Sequence, residues 1–333
     1  MKLITPKYVS SFKCIAGACT DSCCIGWEIN IDKMTREKYR RISGTLGERL
    51  KREIEDTDEG AHIRLSGERC PFLNSDNLCD IIIALGEENL CEICREHPRY
   101  YTVLGECAYS GIGLSCEAAA KLILSEEGRH DYVAKEAFDI DPEPCDGELF
   151  ELIMPKKQTI VDILLDKTLK FSKKLALVQA VSEKLQAEID GVEDMDFSVG
   201  EDYSEAKILG LFESLEYLGD TLFPRILQRL TERDNKSCEN EKYLINLLIY
   251  FVDRYFPSAV CDGDVIGKMT FAALSTFVIG SLLSENSSLD EAIEISKEYS
   301  KEIEYNEENV EKIEECAYSG LWHGSILLLS NIT

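Results

Sequence analysis

The chain has 333 residues, 44% of them apolar, which is enough to bury a full-sized core, so its 14 cysteines are not needed as staples for a small scaffold. The formal charge of −26 is uneven: residues 1–120 hold 15 Lys+Arg against 19 Asp+Glu, and the other 213 hold 21 against 43, a net of −22. Such a surface repels nucleic acid and anionic lipid and suits either a basic, lysine-bearing partner or solubility alone.

In chain order, residues 27–32 (WEINID) alternate apolar and polar as a short strand does, and a helix is predicted over 35–50. Residues 53–60 read as a charged loop and 62–65 as a second short strand. Cys70-Pro71-Phe72-Leu73 leads into Asn74-Ser75-Asp76-Asn77, a turn that returns Cys79 toward Cys70. One or two helical turns are predicted over 80–85 and a short helix over 88–97, stopped by Pro98, with Cys91 and Cys94 three apart on one face. The stretches 100–103 and 107–114 read as irregular extended chain. Ser115 then reads as the N-cap of a helix whose first turn holds Cys116, where the helix field favours thiolate.

The polar stretch 126–148, with Pro142 and Pro144, is the expected linker between a cysteine-cluster metal-binding domain at 1–125 and an acidic α-helical domain at 149–333. Helices are predicted there over 160–189, 206–218, 221–231, 241–256, 268–284, 289–302 and 307–316. In the fourth, Leu244, Leu247, Leu248, Phe251, Val252 and Tyr255 form a core-facing stripe. No membrane span is expected, since the window 243–256 carries Asp253 and Arg254 and the window 269–283 is short for a bilayer. The fold class is thus mainly α, a cysteine-rich N-terminal subdomain with a few short strands followed by an all-helical region. The hexapeptide ECAYSG occurs at both 106–111 and 315–320, a single echo that does not amount to a repeat architecture.

Ten of the fourteen cysteines fall between Cys14 and Cys116. The opening MKLITPKYVSSFK lacks the apolar stretch of a secretory signal, so a cytoplasmic location with reduced thiols is expected, where clustered cysteines serve as metal ligands or redox groups rather than disulfides. Only Cys91-x-x-Cys94 has the spacing of a zinc knuckle, while four thiols at 14, 19, 23 and 24 equally suit an iron–sulfur cluster; spacing alone does not separate the two metals. Cys94 with His97 is the close thiol–imidazole pair, the residue types of a nucleophile and its base, though His97 equally suits a fifth metal ligand or a helix C-terminal cation. There is no G-x-x-x-x-G-K-[ST] loop, and Gly26 stands where a radical-type C-x-x-x-C-x-x-C triplet after Cys19 and Cys23 would need cysteine.

The order Cys14, Cys19, Cys23-Cys24-x-Gly26-Trp27-x-x-x-x-Asp32, then Cys70-Pro71-Phe72-Leu73 with Cys79, then Leu85-Gly86-Glu87, Leu90, Cys91, Cys94, His97-Pro98-Arg99, and Leu114-Ser115-Cys116, resembles the flagellin lysine-N-methylase family. That family is similar in turn to the broader proteins with a zinc- or iron-chelating cysteine cluster. The resemblance covers about residues 1–125 and departs in four places: four residues separate Cys14 from Cys19, His97 stands where phenylalanine is common, Cys116 is followed by Glu117 with no proline between, and Cys107 has no counterpart. It implies transfer of a methyl group from S-adenosylmethionine to flagellin lysines in the cytosol, with a cysteine-bound iron–sulfur cluster, [4Fe–4S] in type, or zinc as the alternative metal. The ligands implied are drawn from Cys14, Cys19, Cys23, Cys24, Cys70, Cys79, Cys91, Cys94 and Cys116, more than one cluster's four. No glycine-rich methyltransferase loop is visible, so neither the S-adenosylmethionine site nor the catalytic base is assigned. The reading from a different class is a metal-handling or interaction module without catalysis.

Overall fold

The computed structural model describes residues 1–20, 22–26, 29–57, 60–125, 131–136, 140–193, 205–231, 241–284 and 286–332. The chain is mainly helical, with a few short strands, and divides into two compact units: residues 13–100 with 116–118, and residues 1–12 and 101–115 with 119–333.

In the first unit, strands Ile29–Ile31, Gly60–Ile63 and Ile54–Thr57 form an antiparallel sheet in that order. Ile63 pairs with Ile29 on one side and Ile54 on the other, and all three are buried, as the period-2 pattern requires. Trp27 and Glu28 of the predicted strand lie outside the described residues. The stretch read as a charged loop is instead half of this hairpin, because Ile54 reaches the core and carries the acidic residues after it along one edge. The helix predicted over 35–50 is two, Lys33–Arg40 and Gly44–Glu53. Gly44 takes φ +78 at the break, and a Cβ on Gly47 would stand 2.1 Å from the Ile42 carbonyl oxygen, so the second helix starts with glycine where the chain doubles back on itself. Further on come the short helices Asp80–Leu85 and Glu92–Glu96. Tyr39, Leu50, Phe72, Ile81 and Leu90 fill the core together with the Cys70 and Cys91 thiols.

In the second unit, Arg99–Leu104, Cys107–Ile112, Lys2–Pro6 and Tyr132–Glu136 form a four-stranded sheet in that order, the second parallel and the fourth antiparallel to Lys2–Pro6. The segments read as irregular extended chain are therefore strands, turned at Gly105 with φ +59. Residues 126–130 and 137–139 of the expected linker lie outside the described residues, while Tyr132–Glu136 within it pairs with the N-terminal strand. The long helix expected over 160–189 is two, Gly147–Leu165, capped by the Asp146 carboxylate, and Phe171–Asp190. The helices Leu222–Thr231, Glu241–Tyr255, Leu289–Tyr299 and Glu307–Glu315 lie close to their predicted spans, and Leu321–Asn331 is an additional one.

Val265–Leu282 is buried nearly all round and packs against Glu241–Tyr255, Phe171–Asp190, Glu307–Glu315 and Leu321–Asn331. It starts four residues earlier than the apolar window suggested, since the Asp264 carboxylate caps it by accepting the Gly267 N–H at 2.8 Å. Among the described residues, Glu241–Asp262 and Val265–Leu282 are long and apolar enough to cross a membrane; here 72% and 89% of their apolar windows are buried inside the protein, as core helices.

Candidate cysteine centre

All nine cysteines singled out above, 14, 19, 23, 24, 70, 79, 91, 94 and 116, lie in the first unit, whereas Cys107, Cys145, Cys261 and Cys316 lie in the second; Cys238 is outside the described residues. Three backbone devices gather them. The segment 24–26 lies antiparallel to 68–70, with the Cys70 N–H donating to the Cys24 carbonyl at 2.8 Å and the Gly26 N–H to that of Glu68 at 2.9 Å. The loop from Cys70 to Cys79 closes on itself through a Leu73–Cys79 bridge, and the Asn74 side-chain oxygen accepts the N–H groups of Asp76 and Leu78 at 2.9 and 3.1 Å. Asp32 ends the first strand and accepts from the Thr35 N–H at 2.8 Å and the Glu92 N–H at 2.9 Å, so it caps one helix and holds the start of the Cys91–Cys94 turn. Burial opposes its charge, but these bonds outweigh it and lower the carboxyl pKa.

Side chains outside the recognised pattern complete the frame. Arg49 donates to the Asp80 carboxylate at 2.7 Å and to the Pro71 carbonyl at 2.9 Å, with its guanidinium 5.3 Å from the Phe72 ring centre. Arg69 donates to the Asn74 carbonyl at 2.8 Å and the Asn77 side chain at 3.0 Å. The buried Tyr39 hydroxyl donates to the Asn89 carbonyl at 2.8 Å, and its pKa is pushed up first by burial and then by the Cys91, Cys94 and Cys79 thiols around it. Glu117 accepts from the Thr20 N–H at 2.8 Å, the Thr20 hydroxyl at 2.6 Å and the Cys19 thiol at 3.4 Å, tying the N-terminal cysteine segment to the start of the Cys116 helix. Ser115 is not the side-chain cap its position suggests, because its hydroxyl donates to the Tyr305 hydroxyl at 2.8 Å.

The thiols interact in pairs. Cys23 donates to Cys24, which lowers the Cys24 pKa to about 7, with the Arg69 charge adding to the effect, while the proton on Cys23 is held correspondingly tightly. Cys94 and Cys91 interact likewise, which lowers Cys91 and raises Cys94. Burial pushes Cys70 up to about 12, and charge on Cys24, Cys79 and Cys91 adds to that; Cys79 is raised by burial and by Cys24 in the same way. Cys24, Cys70, Cys79, Cys91 and Cys94 are thus near enough to oppose one another's ionisation, while Cys14 and Cys116 act on Cys23.

In donor chemistry this set fits a thiophilic metal, since a cation is what offsets the mutual repulsion of several thiolates. As the side chains stand, no three Cys, His, Asp or Glu side chains among the described residues close on one ion. None of the long-range partners could be read from spacing; the one local signal is Asp32, a capping residue ahead of a helix.

The fold and site define a mainly helical protein with a thiol-rich subdomain. Over 136 residues, 38% of its length, the chain is 29% identical to the proteins named Lysine-N-methylase of Salmonella typhimurium and Salmonella choleraesuis, covering 34% of each. It is 29% identical over 136 residues to the flagellar biosynthetic protein FliU of Salmonella muenchen, covering 80% of it. Over that stretch the chain is similar to proteins named for lysine methylation and for flagellar biosynthesis, and it spans about a third of the length of the two curated methylases. No family model matches it, and no solved structure matches it significantly.

Proposed function

We propose that this chain is an S-adenosylmethionine-dependent protein-lysine N-methylase acting on flagellin in the cytoplasm, with an iron–sulfur cluster held by thiols of the cysteine unit. The observation that carries the proposal is the gathering of all nine cysteines in one compact unit of a chain whose relatives are named for lysine methylation. Cys24, Cys70, Cys79 and Cys91, with Cys94, are the thiols whose charges act on one another and would hold the metal, with Cys14, Cys19, Cys23 and Cys116 as further candidates. Bound there, the cluster would supply iron able to coordinate or reduce a sulfonium compound.

The rest of the chemistry belongs to positioning. The neutral lysine amine donates its lone pair to the methyl carbon, the carbon–sulfur bond breaks, its electron pair leaves on sulfur, and the new ammonium loses its proton to a base. The acidic surface of the helical part suits capture of a lysine-bearing protein.

The test is anaerobic purification with iron, zinc and acid-labile sulfide analysis, followed by incubation with isotope-labelled S-adenosylmethionine and flagellin. Label on flagellin lysines and matched iron and sulfide are expected. A colourless zinc protein that transfers no label overturns the proposal in favour of a metal-handling or interaction module.

A further inference from the structure

The helical unit contains a preformed cavity of about 400 Å³ that the cysteine chemistry does not use. This volume is within the range of small-molecule and side-chain sites. One wall is the loop carrying Tyr217 and Leu218, and the other is the stretch from Lys301 to Glu308. Asn309, fully buried, stitches the walls together: its oxygen accepts the Glu216 N–H at 2.9 Å, and its amide donates to the Glu216 carbonyl at 2.7 Å and the Glu302 carbonyl at 3.2 Å. The Glu302 carboxylate adds a second stitch by accepting the N–H groups of Leu218 and Gly219 at 2.6 and 3.1 Å. The second wall begins in a π-helical turn, Ser300–Glu304, which sets Tyr305, a residue 43% exposed, at the cavity with its hydroxyl bonded to Ser115. The lining therefore joins Tyr217 and Tyr305 to carboxylates from Glu216, Glu302, Glu307 and Glu308, with Lys301 among them and the Arg254 guanidinium 6.0 Å from the Tyr305 ring centre.

Aromatic faces beside carboxylates select a cation with an apolar stem, since the ring quadrupole and the carboxylates both attract positive charge while the rings cover methylenes. An anion meets repulsion there, and a neutral chain gains only the ring contact. We infer that this cavity is a docking site for an alkylammonium group, the side chain of a lysine on the protein substrate, held by a pre-organised wall of the helical unit. The inference rests on the reading of a lysine-bearing substrate given above and gives that substrate a contact on the helical unit.

The test uses the full chain without methyl donor, titrated by NMR or calorimetry with Nα-acetyl-lysine methylamide and with the neutral norleucine analogue. The lysine compound should bind at least several-fold more tightly than its neutral analogue, and binding should weaken as salt is raised. Tyr305→Leu should weaken it roughly 2- to 30-fold by removing the ring. Tyr305→Phe keeps the ring and should stay within about twofold, which separates loss of the contact from loss of the fold. The exposed pair Glu307→Gln with Glu308→Gln should weaken the lysine compound and leave the norleucine compound unchanged. Equal binding of the two compounds, no binding by the wild type, or unchanged affinity in both the Tyr305→Leu and the double glutamine variants overturns the inference. A chain that binds the amine yet methylates nothing removes only the proposed function, and one that methylates flagellin equally well in all these variants removes only the docking site.

Discussion

Arg49→Ala probes how the cysteine centre is held. In the wild type the guanidinium bridges the helix Gly44–Glu53 to both ends of the loop that presents Cys70 and Cys79, through Asp80, the Pro71 carbonyl and the Phe72 ring. The bond from a charged donor to the carbonyl contributes about 1.5–3 kcal/mol. The ion pair, with side chains 30% and 26% exposed, adds at most about 1 kcal/mol, and the ring contact about 0.5–1 kcal/mol. Removing all three should make local opening of the loop about 2–5 kcal/mol easier, hence roughly 30- to 5,000-fold more frequent. Cys70, 4% exposed, reports that opening, because an alkylating reagent attacks it only when the loop lifts. The assay is the iodoacetamide labelling rate of Cys70, read by peptide mass spectrometry at fixed pH, with and without chelator. A rate within twofold of wild type under both conditions refutes the view that Arg49 clamps this loop.

In metal-stripped protein the alkylation of Cys24 should titrate near pH 7 rather than at the ordinary 9.0, and Cys23→Ala should move that midpoint upward by removing the donated hydrogen bond. The sign follows from a folded pKa below the unfolded one: this thiolate's contribution to stability is complete above pH 9 and is lost as pH falls through about 7, which pH-dependent urea unfolding reads. A Cys24 midpoint that stays near 9 in wild type removes the pairing. In the helical unit, Lys157 and Asp253 meet at 2.5 Å with side chains 7% and 4% exposed, and Tyr132 donates to the same carboxylate oxygen. Lys157→Met should therefore cost about 3–5 kcal/mol, and adding Asp253→Leu should recover much of it, as measured by urea unfolding. Glu117→Ala strips three hydrogen bonds from Cys19 and Thr20 and should speed proteolysis within residues 13–22 at least tenfold; an unchanged cleavage rate would show that other contacts hold that segment.

Much of the fold was legible because it rests on short-range periodicity. The stripe Leu244, Leu247, Leu248, Phe251 and Val252 is buried as its 3.6-residue spacing demands, and Asp32 caps its helix where a capping residue precedes an amphipathic run. Errors fell where one residue's partner is distant. Ile54 looked like the edge of a loop until Ile63 paired with it, and residues 100–114 looked irregular because strand pairing with Lys2–Leu3–Ile4 comes from the far N-terminus. The break at Gly44 depends on the Ile42 carbonyl pressing on Gly47, a contact that propensity does not register. In the candidate site, the segregation of the cysteines was visible in the sequence, whereas Arg49, Tyr39 and Glu117 were not, since each acts through a partner 22 to 98 positions away.

The hexapeptide ECAYSG marks the boundary between the two kinds of information. Most of its first copy runs in the strand Cys107–Ile112, and its second forms a helix end and the 3-10 turn Cys316–Ser319. Identical local propensities thus take two conformations, because Lys2–Pro6 pairs alongside one copy, with the Lys2 N–H donating to the Glu106 carbonyl, and the helix Glu307–Glu315 leads directly into the other. By itself the sequence determined the helical class, the crowding of thiols before Cys116 and the acidic bias of the remainder, all properties of composition and of neighbours a turn apart. Which thiol donates to which, which thiols surround Tyr39, and which carboxylates and rings line the cavity at Tyr305 were decided only by tertiary structure. Hydrogen bonds and charge interactions act over a few ångströms of space, and folding alone sets those distances between residues far apart in the chain.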